Sequence, residues 1–447
     1  MYDRIYGKVE LPKSARKLAQ SCPLLLRLRE VRMPNIPFFD YPSFANVSRY
    51  EHSVGVGHLA FWWAKQNELE SDSAEALALA GLYHDAATPA YSHLFEEFLS
   101  RDGFDHEAEL ASVLGAKPNL LGSQHAQVFL GRHCRLRDEL APRAQPGGLL
   151  SSTGVADLTA ARHPLGVAVH GDLDLDNIDN VIRATTAMGL VRAHESLHPY
   201  EVALALRWDG EKVCIATDPA DAVGRWRILR RRLYSAILDN EREFIAQATI
   251  KWALEECSKV DPELRESSAW TLTEPELVHE HLRMHAKSRE LIDSFRLGRP
   301  APLLLSAWID DLSPLMGSNS EKNTVVLCDR LGALFGCDVY INFYVDKRER
   351  PIRLPQTLSP TLFDDVEEIP YPPSSHELPQ PKSIAATPGV LGVIGTPRAI
   401  ARNRDAKSTL ITSAIEVLSD VLLQDVETAD TRWLGTRRSM VVARSDE

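Results

Sequence analysis

The stretch that most constrains this chain runs from Arg49 to His106, because it sets imidazoles and carboxylates into otherwise apolar segments. It opens Arg49-Tyr50-Glu51-His52-Ser53-Val54-Gly55-Val56-Gly57-His58, and a second segment ends Leu82-Tyr83-His84-Asp85. Ser92-His93-Leu94-Phe95-Glu96 and Phe104-Asp105-His106-Glu107 follow. Buried charge is costly unless it is paired or coordinates a cation. An imidazole on one apolar helix and an imidazole-carboxylate pair on another are what a buried divalent cation requires. Imidazole nitrogen together with carboxylate oxygen suits Fe, Mn, Zn, Co or Ni better than Ca.

The patterning around this stretch predicts helices. A helix over about 51–69 carries His52, Val56 and Leu59 on one stripe, while His58, six residues from His52, faces elsewhere and reads as structural. The next helix has a capping-box start, Asp72 with Glu75, and an Ala/Leu body apolar nearly all round; it delivers His84-Asp85 at its C-terminal end, and Thr88-Pro89 stops it. A third helix, over 173–189, bears Asp174, Asp176, Asp179, Asn180 and Arg183 and closes at Gly189. Asp176, Asp179, Asn180 and Arg183 share one face, aimed into a cavity or out to solvent. Upstream, 5–11 alternates like a strand and 14–31 like a helix. Downstream, 202–216 reads as a hairpin with a type I′ turn at Asp209-Gly210. A basic run from Arg225 to Arg232 then enters a long helix reaching Cys257, and a further helix covers 272–291.

The ordered set of Arg-x-x-His-Ser with Gly-x-Gly, His-Asp, a further His nine residues on, His-Glu and an Asp-x-Asp-x-x-Asp helix resembles the HD-domain metal-dependent phosphohydrolases. Among them it is most similar to the deoxynucleoside triphosphate triphosphohydrolases. The resemblance spans about residues 1–300. It implies a mainly α fold, with an HD-domain helical core carrying small β-hairpin insertions. It also implies one divalent metal ion (Mn, Mg, Fe, Zn, Co or Ni) held by His52, His84, Asp85 and Asp176. His93, Glu96 and His106 become the catalytic residues, and Arg49, Asn180, Arg183, Arg227 and Tyr234 the substrate-binding candidates. The expected reaction is hydrolysis of a (d)NTP to nucleoside and triphosphate by water attack at the α-phosphorus, in a homo-oligomer (dimer or tetramer). The family's His or Asn four residues after His84 is here Thr88, its sugar-reading Tyr aligns with Asn180, and its deoxyribose-facing Gln is missing from Arg32-Met33-Pro34. Three other readings stand beside this one: a nucleoside 5′-monophosphatase, a nucleotide-binding regulatory module without turnover, and a dinuclear HD oxygenase in which His106 and His125 hold a second metal.

Composition sets outer limits. At 447 residues there is room for one large or two ordinary domains, and a net charge of −12 argues against a general nucleic-acid coat while leaving room for a local polyphosphate pocket. Six scattered cysteines without Cys-x-x-Cys, a charged N-terminus and no membrane-length apolar run point to a cytoplasmic protein. Past residue 300 the character changes. The expected second domain, 301–447, is a smaller α+β region with a strand at 339–345, an amphipathic helix at 408–426 and a Pro-rich arm at 351–381; it is read as oligomer contacts.

Overall fold

The computed structural model describes residues 1–35, 40–114, 136–145, 147–171, 173–192, 196–216, 220–238, 240–266, 268–316, 320–345, 389–396 and 407–422. The protein is mainly α-helical with small antiparallel sheets, as expected. It divides into two compact units, one built from Met1–Leu233 and Asp261–His281, the other from Tyr234–Val260, Leu282–Arg350 and the described residues after 388. The division therefore differs from the boundary expected at residue 300. Residues 234–260 and 282–300 belong with the C-terminal unit, and residues 261–281 return to the first.

In the first unit two helices set the frame. Ser48 caps the Arg49–Gln66 helix, its hydroxyl accepting from the Glu51 amide at 3.2 Å. The Ser71–Tyr83 helix is buried from Ala74 to Tyr83, consistent with a body apolar on every side. Its N-cap is Glu70 and the expected Asp72–Glu75 capping box does not form, because Glu75 instead accepts from Arg143 and Ser14. The two helices touch almost backbone to backbone: a Cβ on Gly57 would lie 3.0 Å from the Ala78 carbonyl, and one on Gly81 3.0 Å from that of Val56. The second Gly of Gly-x-Gly is thus what lets His52 approach the His84-Asp85 pair.

Other elements are more broken than their patterning suggests. The expected 14–31 helix is Lys13–Ser21, Pro23–Arg27 and a 3₁₀ turn Leu28–Glu30, interrupted where Pro23 has no amide to donate. The strand read at 5–11 reduces to Tyr2–Asp3 paired with Gly7–Lys8. The hairpin is shorter than expected, Leu206–Trp208 with Val213–Ile215, after a Pro199–Ala203 helix. In its loop only Gly210 has positive φ (107°), and the Asp209 carboxylate accepts from the Glu211 and Lys212 amides, so the turn is not type I′. The long basic helix is two, Ala220–Leu238 and Glu241–Ser258, the latter capped by Asn240. The expected 272–291 helix breaks into Glu274–Glu276, a π turn Leu277–Leu282, and Ala286–Arg296.

The second unit is built on a three-stranded antiparallel sheet in the order Leu303–Ile309, Gly389–Gly395, Val339–Val345. Leu327 and Leu331 of the Ser320–Phe335 helix and Ala414, Leu418 and Leu422 of the Lys407–Leu422 helix close its core. The Pro-rich 351–381 stretch lies outside the described residues. Among the described residues no helix is long and apolar enough to cross a membrane.

Candidate metal centre and active site

His52 lies on the first turn of the Arg49–Gln66 helix, His84 and Asp85 follow the last turn of the Ser71–Tyr83 helix, and Asp176 lies on the first turn of Leu175–Ala187. All four sequence-predicted ligands meet. His52 Nε2 is 2.8 Å from Asp176 Oδ1, 3.3 Å from His84 Nε2 and 3.8 Å from Asp85 Oδ2. His84 Nε2 is 3.4 Å from both Asp85 Oδ2 and Asp176 Oδ1. His52, His84 and Asp85 alone offer three donor atoms within 4.8 Å of one another.

These residues fit a divalent cation. The Gly81 carbonyl can only accept, so His84 Nδ1 donates to it at 2.8 Å and the Nε2 lone pair faces the cluster. Two imidazole nitrogens and two carboxylates then converge with mutual distances near the ~3.0–3.4 Å expected between ligands bound at ~2.0–2.2 Å to one ion. Titration behaviour points the same way. Burial, the largest influence, opposes charge on both histidines, yet Asp176 and Asp179 hold His52 above its ordinary pKa, and Asp85 and Asp176 hold His84 well above it. Burial likewise pushes Asp85 and Asp176 up, but Arg49 with His84 pulls Asp85 well below the usual range, and His84 with His52 does the same to Asp176. Such a cluster favours positive charge at its centre.

The Asp-x-Asp-x-x-Asp helix divides its labour. Asp174 is the N-cap, accepting from the Asn177 amide at 2.6 Å and from the Gly171 amide; Asp176 reaches the cluster; Asp179 stands 3.5 Å behind His52 Nδ1. Arg183 corrects an expectation. It is fully buried, and its guanidinium is bound by Asp179 at 2.9 Å, Asp3 at 2.8 Å and Glu51 at 3.2 Å, so it holds the outer shell of His52 and is closed to substrate. The first Gly of Gly-x-Gly makes room for it, since a Cβ on Gly55 would lie 2.3 Å from Arg183 Nη2. Arg183→Met should cost ~3–5 kcal/mol by stranding Asp179 and Asp3 in the interior, read as a lower denaturant midpoint.

Arg49 also differs from its expected role as a phosphate ligand. It is buried, donating to Asp85 Oδ2 at 2.7 Å, Ser92 Oγ at 3.0 Å and the Met33 carbonyl at 3.4 Å, so its contacts fix a candidate metal ligand. Thr88, the departure from the family pattern, donates to the other Asp85 oxygen at 2.9 Å. Asp85 is thereby fixed from both sides.

His93, Glu96 and His106 form one constellation. Glu96 receives His93 Nδ1 at 2.8 Å on one oxygen and His106 Nδ1 on the other. Burial tends to raise the Glu96 pKa, but the bonds from His106 and His93 hold it well below the carboxylate range. Glu96 thus engages both rings through Nδ1, and His93 is largely exposed. Residues Tyr91 and Ser92, just before His93, have positive φ of 53° and 52°.

The remaining candidates are not drawn into this geometry. Asn180 is half-buried on the Asp176 helix. Arg227 is half-buried on the Ala220–Leu238 helix, and no hydrogen bond or ion pair among the described residues ties it to the cluster. In the same basic run Arg225 is engaged by Glu201 at 2.8 Å and Asp221 at 3.0 Å, and Tyr234 opens the second unit. His58 is structural, bridging the Glu10 main chain and the Tyr200 hydroxyl. His125, weighed for a second metal, lies outside the described residues.

Deoxynucleoside triphosphate triphosphohydrolase SAMHD1 of Gallus gallus is 32% identical over 162 residues, which is 34% of this chain and 26% of that protein. The SAMHD1 homolog of Dictyostelium discoideum is 34% identical over 116 residues, 24% of this chain and 22% of that one. The Homo sapiens protein is 33% identical over 101 residues, 21% and 16% of the two chains. The chain thus spans about a quarter or less of the length of the curated relatives it matches. A hypothetical protein from Aquifex aeolicus has the same fold, with a TM-score of 0.58 at 16% identity over 94% of this chain and 99% of that one. A family profile described as HD domain matches residues 49–142, which hold His52, His84, Asp85, His93, Glu96 and His106. The chain therefore carries an HD domain, and in part of its length it is similar to the deoxynucleoside triphosphate triphosphohydrolases.

Proposed function

We propose that the protein is a metal-dependent phosphohydrolase that cleaves nucleoside triphosphates, deoxynucleotides foremost, to nucleoside and triphosphate. The observation that carries this reading is the convergence of His52, His84, Asp85 and Asp176 in the same unit as a Glu96-bridged imidazole pair. The similarity to proteins named as deoxynucleoside triphosphate triphosphohydrolases supports the substrate class.

A divalent cation held by the four ligands would polarise a phosphate oxygen and lower the pKa of a bound water. The chain's own residues supply the rest. Arg49 and Thr88 keep both Asp85 oxygens oriented. Water adds to the α-phosphorus, the bond to the nucleoside 5′-oxygen breaks, and that oxygen takes a proton from His93 or His106. Glu96 holds both rings by Nδ1 so that Nε2 faces the transfer. One metal per chain, homo-oligomeric assembly and a cytoplasmic location belong to the same proposal.

The test is to incubate the protein with Mn²⁺ or Mg²⁺ and each dNTP, NTP and NMP, and to resolve the products chromatographically. Nucleoside with intact triphosphate is the expected result. Orthophosphate from monophosphates alone would make the protein a nucleotidase, and silence across the panel with metal bound would favour a regulatory binder.

A further inference from the structure

Three separate places in the first unit carry chemistry: the turn after Asp85, the turn before His93, and the helix beginning at His106. One short segment, residues 270–274, is tied to all three, to the first through Arg27, to the second through Arg32 and to the third directly. The Trp270 and Leu272 carbonyls accept from Arg27 Nη1 at 3.1 and 3.3 Å, and Arg27 Nη2 donates to the Ala86 and Thr88 carbonyls at 3.1 and 2.6 Å. Trp270 Nε1 donates to Glu109 at 3.2 Å, one turn beyond His106. Glu274 accepts from the Arg32 amide at 2.8 Å and from the Arg32 guanidinium, and the Arg32 carbonyl in turn receives the Ser92 hydroxyl.

The Arg32 contact bears on the turn where the backbone needs support. Tyr91 and Ser92 both have positive φ, and Ser92 combines φ 52° with ψ −132°, a conformation L residues rarely adopt. Strain of this kind persists only where the surroundings over-determine it, and it gathers at functional sites. Here Ser92 Oγ donates to the Arg32 carbonyl at 2.9 Å and accepts from Arg49 Nε at 3.0 Å, while Glu274 holds Arg32 by both its amide and its guanidinium. Glu274 is only 3% exposed, so no water substitutes for it. The helix that starts at His93 leaves directly from this turn.

We propose that Glu274 is a positioning residue that latches the Tyr91-Ser92 turn and so aims His93 at the substrate. The kinetic consequence rests on the phosphohydrolase reading; the latch itself rests on the fold. A carboxamide cannot replace this carboxylate, because its NH₂ would confront either the Arg32 amide or the Arg32 guanidinium.

The experiment uses the full-length chain loaded with Mg²⁺, as wild type and Glu274→Gln. On the best nucleotide the variant should lose roughly 10–100-fold in kcat with KM within about threefold, as expected for a misaimed catalytic group. Metal stoichiometry should be retained. In ¹⁵N-histidine spectra the His93 ring signals should shift or broaden while those of His52 and His84 stay in place. If the wild type turns nothing over, the phosphohydrolase reading fails and the spectra alone decide the latch. Unchanged kcat and unchanged His93 signals would overturn it, as would joint loss of the His52, His84 and His93 signals, which marks a general scaffold. Should Glu274→Gln not fold, Ser92→Ala removes the other anchor of the same turn and must move kcat and the His93 signals in the same way for the latch to stand.

Discussion

A His84→Ala protein should lose its bound cation and with it turnover, by roughly three orders of magnitude or more, on the order of 4 kcal/mol of transition-state stabilisation. His84 is the most central of the four ligands, its Nε2 lying 3.3 or 3.4 Å from a donor atom of each of the other three. Among the described residues no neighbour stands ready to replace it, because Arg49 and Thr88 occupy the far sides of Asp85 and Asp179 stands behind His52. The fold should survive, since the side chain sits at the C-cap of its helix and the main chain there is turned by the Ala86 and Thr88 amides. Elemental analysis after dialysis, paired with initial rates and circular dichroism, checks all three expectations. A variant that keeps one metal per chain and half its rate would remove His84 from the ligand set.

The second large effect is expected at Glu96. Glu96→Gln should keep the metal and lose ~10²–10⁴-fold in kcat, the usual scale for a disabled acid-base group. A carboxylate accepts from both imidazoles at once, whereas a carboxamide accepts from one and turns a donor towards the other. The same carboxylate gives a signature in acid. Its folded pKa is depressed below the unfolded value, so its contribution to stability is complete above about pH 4.3 and is lost as the pH falls through the folded value. Wild type should therefore melt above Glu96→Gln at pH 6, and the two melting temperatures should converge in acid. Asp85 and Asp176 titrate in both proteins and cancel from the difference. A gap that widens as the pH drops would show that Glu96 is not the stabilised carboxylate.

The four candidate ligands that the sequence singles out come together because each sits at or beside a helix end. The alanine-leucine run before His84 reads as buried, whereas the Ser48 and Asp174 caps are given by the structure. The sequence carried the supporting residues poorly, for a physical reason. Arg27 is bound to four main-chain carbonyls, two of them more than 240 residues away, and a carbonyl leaves no trace in residue identity. Glu274 likewise serves the amide and guanidinium of Arg32, 242 residues away, so nothing in its local sequence marks it out. Arg183 read as a possible phosphate ligand because its partners Asp3 and Glu51 come from distant segments. In the second unit the central strand Gly389–Gly395 escaped notice since its glycines look like a loop. Gly392 is required there because a Cβ would lie 2.3 Å from the Phe244 ring.

The return of residues 261–281 to the first unit limits how this proposed catalytic body can be inherited. A gene fragment encoding residues 1–233 holds every proposed metal ligand and both active-site imidazoles, yet it ends before Trp270 and Glu274. A recombination or fusion event that treated the N-terminal half as a portable cassette would deliver the reacting groups without the segment that steadies them. Lineages that reshuffle this architecture should therefore move both units together, or reinvent a substitute for about twenty residues.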